Sequence, residues 1–177
     1  MRRLSTLLMV FALTPWMWED ASGLRAVFSY PPHEGLVSEP LAIVVNRSNS
    51  VDNLSTIELR RVFLGYRSHW TDGRRITLVM REPAAPEERA VLREVCAMNE
   101  DQLTKHFIHG LFTGEMLVSP KTLDTPNGVR RFIVNVPGAI GFLRASDVDA
   151  SVKVVRIDEL LPDDKGYRLR VLSPTVN

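Results

Sequence analysis

Leu41-Ala-Ile-Val-Val45, then Asn46-Arg-Ser-Asn-Ser-Val-Asp-Asn53, then Leu54-Ser-Thr-Ile-Glu-Leu-Arg-Arg-Val-Phe-Leu-Gly65 is the stretch on which the fold turns. Five apolar residues in a row, without alternation, read as a strand covered on both faces. The polar run that follows is a loop. Ser55 and Glu58 then have the spacing of a capping box, and Leu54 with Leu59 that of a hydrophobic staple. Leu59, Val62 and Phe63 supply an apolar face at helical spacing, and Gly65 can end the helix in the left-handed conformation.

Strands and helices alternate outward from there. Tyr66 to Arg75 is a loop containing the turn Asp72-Gly73 and Trp70, read as a core plug, with ligand stacking as the alternative. Ile76-Thr-Leu-Val-Met80 is a second buried-type strand. Pro86 opens a helix with Glu87 and Glu88 in its first turn and Val91, Leu92, Val95 and Met98 as its buried stripe. Asn99 with Gln102 starts another, carrying Leu103, Phe107 and Leu111 on one side. Thr125-Pro126 starts a fourth, with Val129, Phe132, Ile133 and Val136 in register. Ala139–Leu143 and Val152–Ile157 are strands, and Tyr167–Leu172 is a candidate edge strand. The alternation predicts an α/β layered domain, with a mostly parallel sheet and helices on both faces.

Upstream, Met1-Arg2-Arg3, an apolar run from Leu4 to Trp18 and the small residues Ala21-Ser22-Gly23 have the three parts of a secretory signal. Residues 1–23 are therefore expected to be a signal peptide, with no stable membrane span after cleavage. Residues 24–40, with Pro31, Pro32, Gly35 and Pro40, are expected to be a linker or loosely packed arm, and 41–177 the folded domain.

Composition narrows the function. The 177 residues carry 22 Lys+Arg against 21 Asp+Glu, a formal charge of +1, without a long run of one sign. That argues against nucleic acid as a partner, because such binding needs a concentrated cationic field. One cysteine, Cys96, excludes a disulfide framework and a multi-thiolate zinc site. His106 and His109 stand three apart on a helix, without a third and fourth ligand to complete a metal site. No nucleophile turn, phosphate-loop lysine or Gly-x-Gly-x-x-Gly run occurs, so neither an enzyme nor a cofactor is expected.

The ordered series from Asn46 to Gly65, with Trp70-Thr-Asp-Gly73 and Pro137-Gly-Ala-Ile-Gly-Phe142, resembles the phosphate-type periplasmic solute-binding proteins. It is similar in particular to their short, exported, single-lobe relatives, the phosphate transporter substrate-binding-like proteins. The resemblance implies a single lobe of the type 2 periplasmic-binding-protein-like fold, a bacterial periplasmic or otherwise exported location, and a role in solute binding and transport. A two-lobe cleft is not expected to fit within this chain. Either a partner or a second copy supplies the other wall, or the cleft function has been lost.

Phosphate binders of this kind carry Arg-x-x-Gly-Ser-Gly-Thr after the second strand; the stretch here is Arg81-Glu82-Pro83-Ala84-Ala85-Pro86-Glu87. The arginine remains. Alanine, proline and glutamate stand where a hydroxyl, a glycine N–H and a second hydroxyl would hold the anion. The phosphate motif is thus expected to be degenerate. The candidate ligand-binding residues are Asn46, Ser48, Arg81 and Gly138, as a remnant pocket for a small polar solute that is uncharged, cationic or zwitterionic, or for a partner loop. The alternative is an envelope interaction or signalling protein that binds a protein partner and no small molecule.

Overall fold

In the computed structural model, which describes residues 36–116 and 119–174, β1 (Leu36–Asn46) is the spine of a seven-stranded sheet. The expected signal peptide, 1–23, and residues 24–35 of the expected arm lie outside the described residues. Residues 36–40 do not form an arm: they are the first half of β1 and pair antiparallel with β7 (Arg170–Pro174), Pro40 opposite Arg170. Pro40 lies where β1 changes neighbours, a position that tolerates a residue without an N–H.

The second half of β1 lies between β5 (Ala139–Arg144) and β6 (Val152–Ile157), antiparallel to both. β3 (Thr77–Arg81) runs parallel to β5 and to the short β4 (Lys121–Leu123), and β2 (Asn53–Leu54) parallel to β6. The order is β2-β6-β1-β5-β3-β4. The sheet is therefore mixed, a correction to the mostly parallel sheet expected. The physical reason is that an unbroken apolar run reports two covered faces and carries no information on the direction of the neighbours. The faces are indeed both covered. Leu41, Ile43 and Val45 point to one core, and Ala42 and Val44 to the other.

On the first face lie α1 (Thr56–Phe63), α2 (Pro86–Val91) and α3 (Glu100–Thr113). α1 begins where its sequence places it: Ser55 Oγ accepts from the Glu58 N–H at 3.2 Å, and Glu58 Oε2 accepts from the Ser55 N–H at 2.9 Å. Gly65 follows the helix at φ +75°, the left-handed region that glycine adopts without strain. α2 passes directly into a π-turn, Leu92–Cys96, which ends at Ala97 with φ +52°. The turn buries Leu92, Val95 and Cys96; burial pushes the Cys96 thiol up to about 12, leaving it inert. α3 carries the Asn99–Gln102 capping box, and Leu103 and Phe107 face the core. Leu111, expected on the same side, is instead 39% exposed, and Gly110 is the residue that meets the returning Met116.

The second face is covered by α4 (Pro126–Asn135), capped by Thr125 and buried through Val129 and Ile133. Among the described residues no helix is long and apolar enough to cross a membrane.

Candidate functional site

The sheet direction decides which of the four candidate residues can meet. Val45 stands opposite Ile140, and Leu78 is paired with Ile140 from the other side. Asn46, Gly138 and Thr77 therefore share one end of the sheet. Arg81 lies four residues further along β3, at the other end, about 13 Å away by strand rise. Asn46, Ser48 and Gly138 are not brought together with Arg81, and the four do not line one pocket.

At the first end the polar groups are occupied by the fold. The buried Asn46 amide donates to the carbonyls of Ile133 (2.9 Å) and Val134 (2.8 Å), in the last turn of α4. Its Oδ1 accepts from the N–H and Oγ of Ser48 at 2.9 and 2.8 Å. Ser48 in turn accepts from Arg74 Nη1 through its carbonyl and its hydroxyl. Every donor and acceptor site this amide needs for burial is used, and the helix end that would otherwise expose bare carbonyls is capped. Gly138 is buried against the Arg75 carbonyl, where a Cβ would stand 2.0 Å from that oxygen. Its own carbonyl accepts from the Thr77 N–H (3.1 Å) and from the indole of the buried Trp70 (3.0 Å).

The second end is the carboxyl end of the parallel pair β3 and β5, where ligands of open α/β sheets bind. Arg81 closes β3, and the turn Glu82–Ala85 leads into α2. Ala84 has φ +68°, a backbone shape that favours glycine. Ala85 is the N-cap residue and gives no side-chain cap; Pro86, at the next position, has no N–H. Arg81 is only 8% exposed, and its Nε and Nη1 have no hydrogen-bond partner among the described residues. Glu88 is equally buried, with Oε2 unpartnered among the described residues. Burial, reinforced by the charge of Glu100 and opposed by Arg81, pushes its carboxyl up to about 7.

Beside this pair stands a cluster that sequence reasoning missed. Arg144, closing β5, bonds Glu87 of α2 through Nε and Glu39 of β1 through Nη1, the latter at 3.0 Å. Glu39 also accepts from the Ser146 hydroxyl; that bond, against partial desolvation and with help from Arg144, holds its carboxyl below the usual range. Burial disfavours the Arg144 charge, but the bonds to Glu87 and Glu39 outweigh it and raise its pKa. The end of the sheet thus holds two arginines against Glu39, Glu82, Glu87 and Glu88. The only hint in the sequence was Arg144 at the end of an otherwise apolar strand. Its partners lie 57 and 105 residues away, beyond the reach of any local pattern.

His106 bonds the Leu64 carbonyl through Nε2 at 2.8 Å and meets Tyr66 edge-on, while His109 is exposed. Among the described residues no three His, Cys, Asp or Glu side chains converge as metal ligands.

No family model matches the chain. It is 30% identical over 131 residues to the phosphate-binding protein PstS of Bacillus subtilis, an overlap of 71% of this chain and 38% of that protein. Its fold is similar to that of an ABC-type phosphate transport receptor from Vibrio cholerae, with a TM-score of 0.60 at 20% identity, over 77% of this chain and 55% of the receptor. It is likewise similar to PstS of Borrelia burgdorferi, with a TM-score of 0.61 at 8% identity, over 77% and 56% of the two chains. The chain spans about half the length of these solved proteins and less of the curated relative.

Proposed function

From the kinship of this chain with the phosphate-binding proteins, and from its having the fold of one of their lobes, we propose that it is an exported, non-enzymatic solute-binding-type module whose phosphate grip has degenerated. One observation carries the reading: the arginine that would meet the anion, Arg81, is buried at the end of β3 beside the chain's own glutamates. Four to six positions after it stand Ala85, Pro86 and Glu87, and Glu87 is taken up by Arg144. Each hydrogen bond to a charged group contributes about 1.5–3 kcal/mol, so losing two or three of them weakens phosphate binding by several orders of magnitude. The added carboxylates repel an anion further.

The experiment is calorimetric titration of the full chain with inorganic phosphate. The expected result is no heat of binding at millimolar phosphate, while the triple variant Ala85→Ser, Pro86→Gly, Glu87→Thr gains a measurable response. A micromolar phosphate complex of the unaltered chain would refute the reading. The module acts with a partner or a second copy supplying the facing wall, and analytical ultracentrifugation with envelope extract fractions tests that part.

A further inference from the structure

A second cleft lies apart from the arginine–glutamate end. β4 pairs only with Val79–Arg81, so among the described residues the first half of β3 has no neighbouring strand on that side. A space of about 530 Å³ opens there, between the end of α1, β3, Glu115–Met116 and Ser119–Pro120. Its floor is apolar: Val62, Leu78, Phe107 and Met116, all buried. Met116 is fixed in place by its N–H, which donates to the Gly110 carbonyl at 2.9 Å.

The rim carries Arg67, which also faces Glu58 at 3.9 Å, Arg75 and the acid Glu115. Arg67 is held in position over the Trp70 ring, 5.6 Å from its centroid, with its Nε donating to the His69 carbonyl. Arg75 is exposed and enters no ion pair or side-chain hydrogen bond among the described residues. An apolar floor of this volume under a fixed cationic edge and one free guanidinium is the composition of a small-molecule site.

We infer that this cleft binds a small amphipathic carboxylate, with its apolar body on Phe107 and Met116 and its anionic head at Arg75. The site shares no residue with the Arg81 end, and the inference does not rest on the phosphate reading. The test uses the full chain, isotopically labelled, with octanoate as the probe and octan-1-ol as its neutral counterpart, read by amide chemical shifts. Saturable shifts are expected at Gly65, Thr77 and Leu78. Octanol, and octanoate on the Arg75→Gln variant, should bind about tenfold more weakly or worse, the loss of one charge-assisted hydrogen bond. Ser119→Phe, at an exposed rim position, should abolish binding by filling the cleft. No saturable shift at millimolar octanoate, shifts centred elsewhere, or unchanged affinity in either variant would overturn the assignment.

Discussion

Replacing Asn46 by alanine tests whether this residue serves a ligand or the fold. The substitution removes both donors from the carbonyls of Ile133 and Val134 and the acceptor used by Ser48. A buried carbonyl that loses its partner costs about 1–3 kcal/mol, and two lie here at the end of α4, where the helix supplies no donor. Allowing for partial rescue by water at the less buried Val134 carbonyl, the expected loss is about 2–4 kcal/mol. For a chain of this size that lowers Tm by about 5–15 °C. Urea unfolding followed by circular dichroism should show a lower midpoint at an unchanged slope, because the surface exposed on unfolding stays the same. Asn46→Asp should be worse than Asn46→Ala: it keeps the acceptor for Ser48 but sets a carboxylate against two carbonyls at the negative end of a helix. A shift below about 0.5 kcal/mol for the alanine variant, or an aspartate variant as stable as the parent, would refute the capping argument.

Glu88 gives a pH signature of defined sign. Its carboxyl titrates near 7 in the folded chain against an ordinary 4.5, so the folded state binds the proton more tightly, and stability should fall as pH rises from about 4.5 to about 7. The loss is of order 1–3 kcal/mol, and Glu88→Gln should remove it; urea midpoints at pH 5 and pH 8 that leave the parent and the variant with the same pH dependence would contradict this. Gly138→Ala should destabilise by more than about 3 kcal/mol or fail to fold, because its Cβ cannot share space with the Arg75 carbonyl; thermal melts that match the parent would show the close approach to be yielding.

What the sequence disclosed and what it withheld divide along contact range. Ser55 with Glu58 and Asn99 with Gln102 are bonds across three residues, set by side chains that recognise their own backbone, and both caps form where they were expected. The two-faced core was legible in the unbroken run Leu41–Val45. Strand direction was not, because hydrophobicity is a property of the faces and the direction of a neighbour is settled by connections elsewhere in the chain. The prolines at 31, 32 and 40 suggested an arm, and Pro40 belongs to β1 because β7, reaching back from the far end of the sequence, covers it. The candidate site fared unevenly for the same reason. Arg81 and the degenerate loop were readable from seven consecutive residues. That Asn46 is spent on α4, or that Glu87 answers Arg144, depends on pairings across 87 and 57 residues, which only the folded chain reveals.

β1 has one consequence for how the protein is made. Among the described strands, the one at the middle of the sheet is the first to be made, and its partners β5, β6 and β7 are the last. Until they emerge, the central apolar ribbon has bare backbone on both flanks, the arrangement most prone to pairing with a stranger. Closing the sheet joins residues from opposite ends of the sequence, so assembly should be slow and follow the completion of synthesis. A nascent chain of this design gains from anything that keeps its first strand unattached until the last one arrives.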